Sequence, residues 1–390
     1  MKVHCGLDVL LRDPEAYLGG DKVGLVSNPT GITLRLESAL DAFYQHEAIK
    51  LQTVFGPEHG ARGDIQDALD VSSHIDPSTG LTVYSLYGAH RAPSEEMLDG
   101  VDTLVFDIQD CGSRYYTYVS TLTNCMESAK KYGVKLVVLD RPNPVNGVSV
   151  EGNILEHGYE SFIGLHPVPI RHGLTMGELA HFINTKIKCD LEVVLMHGWK
   201  RSYWFDETGL PWVQPSPNLP SLDTAVVYNG TCLFEGVNAS EGRGTTKPFE
   251  YLGAPWVDDK AWVDALNKIG LPGVLFRRSY FTPTFWRFKD EQCNGVQVHV
   301  TDRDQYRSVE TGLHLLSTLM KTHPSMFRFN EPTYDERRHF DLLAGTDKLR
   351  LQLMAGVPVE EITASWEPEV NKYLQERSRH LLYPEAELTR

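Results

Sequence analysis

The sequence is poor in paired cysteines, in positive charge and in long apolar runs, and each shortage excludes a class of protein. Its six cysteines are scattered without a C-x-x-C pair, so reduced, mostly buried thiols are expected rather than a disulfide scaffold. The formal net charge of -15 argues against a nucleic-acid-binding surface or an anionic-membrane surface. No apolar stretch approaches the ~18 residues of a membrane span, and the first residues lack a signal-peptide pattern. The chain as given is therefore expected to be cytoplasmic, or exported if a signal has been removed.

The common cofactor and nucleophile motifs are also missing. No G-x-G-x-x-G follows the first predicted strand, and the glycines of 242–247 lack the spacing of a phosphate-binding loop. The sequence contains neither a G-x-S-x-G nucleophile elbow nor an H-E-x-x-H zinc motif. No cofactor and no metal is therefore expected.

Apolar strand-like segments alternate with segments of helical spacing through the first half of the chain. Strands are predicted at 22–31, 49–55, 81–86, 101–107, 135–139 and 191–196, and helices at 35–46, 94–98, 118–132 and 175–188. This alternation predicts βαβ units and an α/β domain with a mostly parallel sheet.

A loop rich in proline and tryptophan marks a change of character after residue 199, and we place a domain boundary near residue 222. The predicted domains are 1–221 and 222–390. The second domain is expected to be smaller and α+β. Its predicted helices are 258–269, 309–322, 335–344, 347–354 and 367–382, and its strand-like segments are 274–276 and 295–300.

Several predicted strands end in clusters of polar side chains. Because the carboxyl ends of parallel strands meet at one edge of a sheet, these clusters predict a polar ligand crevice there. The competing interpretation is that βα loops are polar in any protein. The residues concerned are Asn28, Glu58, His59, Asp107, Gln109, Asp110, Asp140, Arg141 and Asn143.

Paired carboxylates are the chemistry that this pattern favours most. Glu58 and His59 follow an apolar strand and a Gly-Pro turn. Glu241 lies in a glycine-rich loop, and Glu235 precedes it by six positions. Glycoside hydrolysis commonly uses two such carboxyl groups. The alternative for each is a solvated turn glutamate, whereas Glu178 is better explained as a helix cap.

Aromatic residues and loop arginines add to a possible sugar site. The segment 114–118 places an arginine and three tyrosines after a strand, and aromatic faces with polar rims are typical of sugar sites. Arg62, Arg141, Arg171 and Arg243 lie in predicted loops, where one is a candidate for binding a ligand carboxylate. Core tyrosines and surface ion pairs are the alternatives.

Five ordered motifs, at 55–63, 107–116, 139–144, 215–220 and 235–245, resemble those of the exo-β-N-acetylmuramidases of the NamZ type. The resemblance runs from about residue 23 to near the C-terminus. It implies a Rossmann-like N-terminal domain, a smaller C-terminal domain and an active site in the cleft between them. It further implies release of N-acetylmuramic acid from the non-reducing end of a muropeptide or another peptidoglycan-derived saccharide. The catalytic residue that it implies is Glu58. Family members are often exported, and the missing signal departs from that.

The resemblance and the residues together suggest specific roles. Glu58 would protonate the glycosidic oxygen, His59 or Asp110 would orient it, and Glu241 is placed as the second catalytic group. The attacking group stays open between water, the Glu241 carboxylate and the acetamido oxygen of the substrate. The lactyl carboxylate of the sugar needs a cation, for which Arg62 or Arg243 is proposed. The predicted substrate contacts are Asn28, Arg62, Asp107, Gln109, Arg114, Tyr116, Arg141, Asn143, Asn218, Asn238 and Arg243.

Two other functions remain open from the sequence. One is a non-catalytic protein that binds a polar sugar or cell-wall fragment in the same crevice. The other is a metal-dependent enzyme acting on a phosphate ester or nucleotide. The sequence gives no prediction of oligomeric state.

Overall fold

The computed structural model describes residues 2–58, 60–62, 73–88, 90–332 and 336–384. The strands in these residues are β1 (Lys22–Ser27), β2 (Lys50–Gly56), β3 (His74–Ile75), β4 (Thr82–Ser85), β5 (Thr103–Asp107), β6 (Lys135–Leu139), β7 (Glu151–Ile154), β8 (Pro169–Arg171), β9 (Leu191–Val194), β10 (Tyr251–Ala254), β11 (Val274–Phe281) and β12 (Cys293–Val300). The α-helices are α1 (Gly6–Leu10), α2 (Pro14–Leu18), α3 (Ala39–Gln45), α4 (Tyr118–Tyr132), α5 (Met176–Ile187), α6 (Leu222–Thr231), α7 (Asp259–Ile269), α8 (Ser308–Thr322), α9 (His339–Ala344), α10 (Lys348–Met354), α11 (Val359–Ala364) and α12 (Glu367–Arg377).

A seven-stranded sheet in the order β3-β4-β2-β1-β5-β6-β9 forms the centre of the N-terminal part. All neighbouring strands pair in parallel except β3 with β4. Strand β5 is buried along its whole length, as expected for a parallel sheet that is covered on both faces. The predicted mostly parallel α/β domain is therefore confirmed.

The helix boundaries follow from local chemistry. Helix α4 ends at Gly133, whose φ of 70° lies in the left-handed region, and α5 begins with the capping box of Thr175 and Glu178. Both features were predicted. Helix α3 is shorter than the predicted 35–46, because Ser38 caps it and the preceding residues form turns. The predicted helix 94–98 is wrong, since this segment folds into turns.

The C-terminal part is built on a three-stranded antiparallel sheet in the order β10-β12-β11 with helices around it. The five predicted helices there are found, four of them shorter than predicted and α8 beginning one residue earlier. Residues 333–335 lie outside the described residues. Helix α6, strand β10 and helix α11 were not predicted. One hydrophobic cluster contains residues of both parts, from Val26 on β1 to Tyr373 on α12. The boundary near residue 222 stays a prediction.

Two expectations from composition can be compared with the described residues. All six cysteines are buried and free, which confirms the prediction of reduced thiols. Within the described ranges, no helix combines the length and apolarity that a membrane crossing requires.

Candidate active site

Glu58 stands on a tight turn at the carboxyl end of β2. Gly60 N–H donates a hydrogen bond to Pro57 O at 2.9 Å and closes the turn. A side chain at Gly56 would put its Cβ 2.6 Å from Ala61 N, so the turn folds back against a position that only glycine fits. The half-buried Glu58 accepts a hydrogen bond from Thr117 Oγ1 to its Oε2 at 3.1 Å. The turn and the segment before α4 therefore fix the carboxylate together.

Glu58 lines a cavity of about 280 Å³ whose floor is made of buried tyrosines. The rings of Tyr116 and Tyr118 meet edge to face with centroids 5.0 Å apart, and Tyr228 packs against Tyr116 in the same way at 5.9 Å. Burial raises the pKa of Tyr115, Tyr116 and Tyr228 well above the usual value, so these hydroxyls stay neutral. The floor is an aromatic surface with hydroxyl groups, which suits a sugar ring.

A second carboxylate, Glu235, lines the same cavity. It stands on the short 3-10 helix Cys232–Gly236, accepts a hydrogen bond from Arg243 Nη2 at 2.7 Å, and lies 3.3 Å from His339 Nε2. Burial alone would raise the pKa of Glu235, but the Arg243 guanidinium and His339 outweigh burial and hold the pKa below its usual range. Glu235 therefore stays ionised at neutral pH.

Glu241, which the sequence placed as the second catalytic group, lies behind this wall. Its side chain is fully buried and is not part of the cavity lining. Burial raises its pKa, and the nearby Glu235 raises it further, against the lowering effect of Arg243. Arg243 Nε lies 3.3 Å from Glu241 Oε1, so Arg243 bridges the two carboxyl groups. A catalytic role for Glu241 stays a prediction, but the geometry favours Glu235.

The strand ends do meet at one edge of the sheet, since Ser27 of β1 pairs with Asp107 of β5. Many of the polar groups there bind one another instead of facing the cavity. Arg141 donates to both oxygens of Asp107, at 2.6 and 2.8 Å. Asn28 donates to Tyr118 Oη, and Gln109 donates to the backbone oxygens of residues 110 and 142. Gln109 and Arg141 border a separate crevice of about 20 Å³, too small for a sugar.

The remaining predicted contacts divide into structural and cavity-lining residues. Arg62 pairs with Asp41 and Asp76 and is not among the described residues that line the cavity, whereas Arg243 and Tyr116 do line it. Arg62 therefore suits the lactyl group of a substrate less well than Arg243 does.

Backbone partners hold the other predicted ligands. The buried Arg114 donates hydrogen bonds to carbonyl oxygens, Asn143 donates to Leu174 O, and Asn238 donates to Met326 O. Asn218 is buried beside the cavity residue Ser216, whose Oγ accepts from the Asn218 N–H. Their roles as substrate ligands stay predictions that this geometry does not favour.

The two predicted partners of Glu58 have different outcomes. His59 lies outside the described residues. Asp110 is buried away from the cavity lining, accepts a hydrogen bond from Gly112 N at 2.7 Å, and lies 3.8 Å from His172 Nε2. The group that does hold Glu58 is Thr117, which the sequence reasoning missed. No cluster of three potential metal ligands occurs in the described part of the chain.

Sequence reasoning also missed the aromatic rim of the cavity. Tyr87 and Phe162 come from the N-terminal part, and Phe285 and Trp286 come from the loop between β11 and β12. These four are partly or largely exposed, in contrast to the tyrosine floor. The run of aromatic residues at 281–288, between two predicted strand segments, was the available signal for the second pair.

Both parts of the chain match models of one enzyme family. The N-terminal model of exo-beta-N-acetylmuramidase NamZ matches residues 23–223, and the C-terminal model matches residues 226–383. The chain therefore belongs to the NamZ family of exo-beta-N-acetylmuramidases, as the sequence motifs predicted. Among individual relatives, it is 47% identical to the peptidoglycan beta-N-acetylmuramidase NamZ of Bacillus subtilis (strain 168), over 98% of this chain and 92% of that protein.

Two solved structures share the fold of this chain. A DUF1343 family protein from Bacteroides fragilis NCTC 9343 superposes with a TM-score of 0.91 at 36% identity, covering 98% of this chain and 99% of that one. A second DUF1343 protein from the same organism has a TM-score of 0.77 at 29% identity, covering 99% and 100% of the two chains.

Proposed function

We propose that this protein is a glycoside hydrolase that releases N-acetylmuramic acid from the non-reducing end of peptidoglycan-derived saccharides, muropeptides included. The observation that carries the proposal is Glu58, held by Thr117 at the wall of an aromatic cavity in a chain of this family. The 47% identity to a peptidoglycan beta-N-acetylmuramidase over nearly the whole chain supports the same reaction.

The shape of the cavity supports action at a chain end. Its volume of about 280 Å³ is at the low end of the roughly 300–1,000 Å³ typical of small-molecule sites. Buried tyrosines form one side of it, and its volume suits a single terminal sugar. One sugar in the cavity with the rest of the chain outside is the arrangement that exo-hydrolysis requires.

The two cavity carboxylates divide the chemistry. Glu58 gives its proton to the glycosidic oxygen as the bond to the anomeric carbon breaks, so the remaining saccharide leaves as a neutral alcohol. Glu235, held ionised by Arg243 and His339, stabilises the positive charge that develops on the sugar ring. Water supplies the hydroxyl group that completes hydrolysis at the anomeric carbon, and the proton that this water loses restores the Glu58 acid for the next cycle.

Arg243 is the cation on the cavity wall that can face the lactyl carboxylate of N-acetylmuramic acid. The Glu235 carboxylate neutralises part of the charge of Arg243. Glu241 neutralises less of that charge, because its raised pKa favours its protonated, uncharged form. A preference for muramic over glucosamine substrates that is lost in Arg243→Gln would support this assignment. An unchanged preference would refute it.

The test of the proposed function is hydrolysis of a chromogenic β-N-acetylmuramide by wild type and by Glu58→Gln. We expect turnover by the wild type and a loss of at least about 10²-fold in the variant, the low end of what a positioned general acid contributes. The exposed Glu95→Gln is the matched control and should retain activity. Near-normal turnover by Glu58→Gln would remove Glu58 from the mechanism. Binding without turnover by the wild type would instead indicate a non-catalytic sugar-binding protein.

A further inference from the structure

The loop that joins β11 and β12 holds an unusual backbone. Trp286, Phe288 and Asp290 have φ values of 68°, 57° and 63°, in the left-handed region that disfavours residues with a side chain. Three such residues within five positions require that surrounding contacts enforce the conformation, and strain of this kind concentrates at functional sites. The loop is therefore a candidate functional segment.

The contacts that hold this loop conformation are made with the segment that forms the cavity wall. Thr284 donates through its N–H and its Oγ1 to Gly244 O, at 2.9 and 3.0 Å. Arg287 donates through Nη1 to Ala239 O at 2.9 Å and through Nη2 to Glu235 O at 3.4 Å. A Cβ on Gly244 would lie 2.7 Å from Phe285 O, so the two segments are in close backbone contact. The loop is thus fastened to the segment that carries Glu235 and Arg243.

What this fastened loop presents is an aromatic surface at the cavity mouth. Trp286 lines the cavity but is 60% exposed, whereas Tyr116 on the floor is 9% exposed. An exposed tryptophan lacks the stabilisation that burial of its large apolar surface would give, and the strained backbone costs further free energy. A ligand that stacks on the indole ring would recover the hydrophobic gain by removing that surface from water.

We propose that Trp286 forms the subsite for the sugar on the leaving-group side of the cleaved bond, an N-acetylhexosamine ring that stacks on the indole. The proposal rests on the proposed function, because it takes N-acetylmuramic acid to occupy the cavity above the tyrosine floor. The glycosidic bond beside Glu58 then faces the mouth of the cavity, and the next sugar of the saccharide lies against Trp286. Phe285 from the same loop also lines the cavity.

Binding measurements in the Glu58→Gln background test this directly, because they do not depend on turnover. The two ligands are N-acetylmuramic acid β-linked to N-acetylglucosamine and methyl β-N-acetylmuramide, which has no second sugar. We expect Trp286→Ala to raise the Kd of the disaccharide about tenfold, the factor of a well-made ring contact, and to leave the Kd of the methyl glycoside unchanged. Trp286→Tyr keeps a ring and should restore most of the disaccharide affinity.

Tyr280→Ala is the matched control, since Tyr280 lies on the same hairpin, is 54% exposed and does not line the cavity. It should change neither Kd. Equal weakening of both ligands by Trp286→Ala would place the indole against the muramic acid itself and overturn the proposal. An unchanged disaccharide Kd, or no binding of the disaccharide before Trp286 is replaced, would overturn it too. If wild type fails to hydrolyse any muramide, the proposed function fails, while the pattern of Kd values still decides the subsite.

Discussion

Glu235 and Glu241 stand six positions apart, and burial divides their roles. Arg243 contacts both, but Glu235 keeps about a fifth of its side-chain surface exposed and Glu241 keeps none. A carboxylate that must face a sugar needs access to the cavity, whereas a fully buried one is favoured in its protonated form. Position along the chain could not reveal which of the two faces the ligand, because that depends on how the 3-10 helix turns Glu235 inward.

Replacing each carboxylate by its amide should separate these roles. We expect Glu235→Gln to lower kcat by orders of magnitude, because it removes the ionised group that faces the developing charge. Glu241→Gln should keep most of the activity, since a neutral amide resembles the protonated acid. Steady-state kinetics on a β-N-acetylmuramide give the comparison. The reverse order of effects would return Glu241 to the catalytic role that the sequence suggested.

The same pair predicts a pH dependence of stability. Because burial raises the pKa of Glu241, the folded protein holds a proton there that the unfolded chain has already released. Wild type should therefore lose stability as pH rises through the raised pKa, and Glu241→Gln should lose less, because buried Asp140, whose pKa burial also raises, stays in both proteins. Urea unfolding of both proteins across this pH range measures the difference. If the two proteins show parallel pH profiles, Glu241 is ionised in the folded state.

At the level of elements, the turn after β2 connects strand geometry to catalysis. The strand ends beside β1 and β4 in the sheet, and its last residue, Gly56, lies against the backbone of residues 60 and 61. Glu58 is therefore placed by main-chain packing together with the hydrogen bond from the Thr117 side chain. Small changes in this packing should move the carboxylate.

Gly56→Ala tests this dependence. Its methyl group would lie 2.6 Å from Ala61 N and must displace the turn, with a cost of about 1–3 kcal/mol in stability and a large fall in kcat. Gly100→Ala is the control, because its positive φ also costs stability, but no atom lies within 4 Å of the new methyl group. Activity assays and unfolding curves of both variants provide the measurement. If Gly56→Ala and Gly100→Ala lose kcat in the same proportion to their loss of stability, the turn does not position Glu58.

The sequence predicted such elements better than it predicted their side-chain contacts. Periodicity and end signals located the strands of the parallel sheet and the ends of α4 and α5, because those signals are local. Arg141 and Asp107 were expected at the sheet edge and are found there, but they satisfy each other. Whether a polar group at a strand end meets a ligand or a neighbour depends on long-range packing. The rim aromatics Phe162 and Trp286 come from segments far apart in the chain, and no local pattern joins them.

At the scale of the whole molecule, Arg114 ties the two parts of the chain together. Its guanidinium donates to Asn153 O and Val168 O at 2.7 and 3.0 Å, and to Leu343 O and Ala344 O at 2.9 and 2.8 Å. Leu343 lines the cavity, so this clamp also sets one of its walls. Burial lowers the pKa of Arg114 to about 10, which leaves it charged at neutral pH.

Arg114→Met should therefore act through stability and not as the loss of a substrate ligand. The variant removes the arginine donor from three buried carbonyl oxygens, of Asn153, Val168 and Leu343, whereas Ala344 O keeps Asn153 Nδ2 as a donor. The expected loss is about 3–5 kcal/mol in the free energy of unfolding. Since one hydrophobic cluster runs through both parts, the loss should lower the midpoint of a single unfolding transition. Chemical denaturation monitored by tryptophan fluorescence, with the exposed Arg379→Met as control, measures it. A raised KM with unchanged stability would instead make Arg114 a substrate contact, as the sequence suggested. Loss of a substrate contact weakens binding of the substrate but does not change the packing between the two parts of the chain.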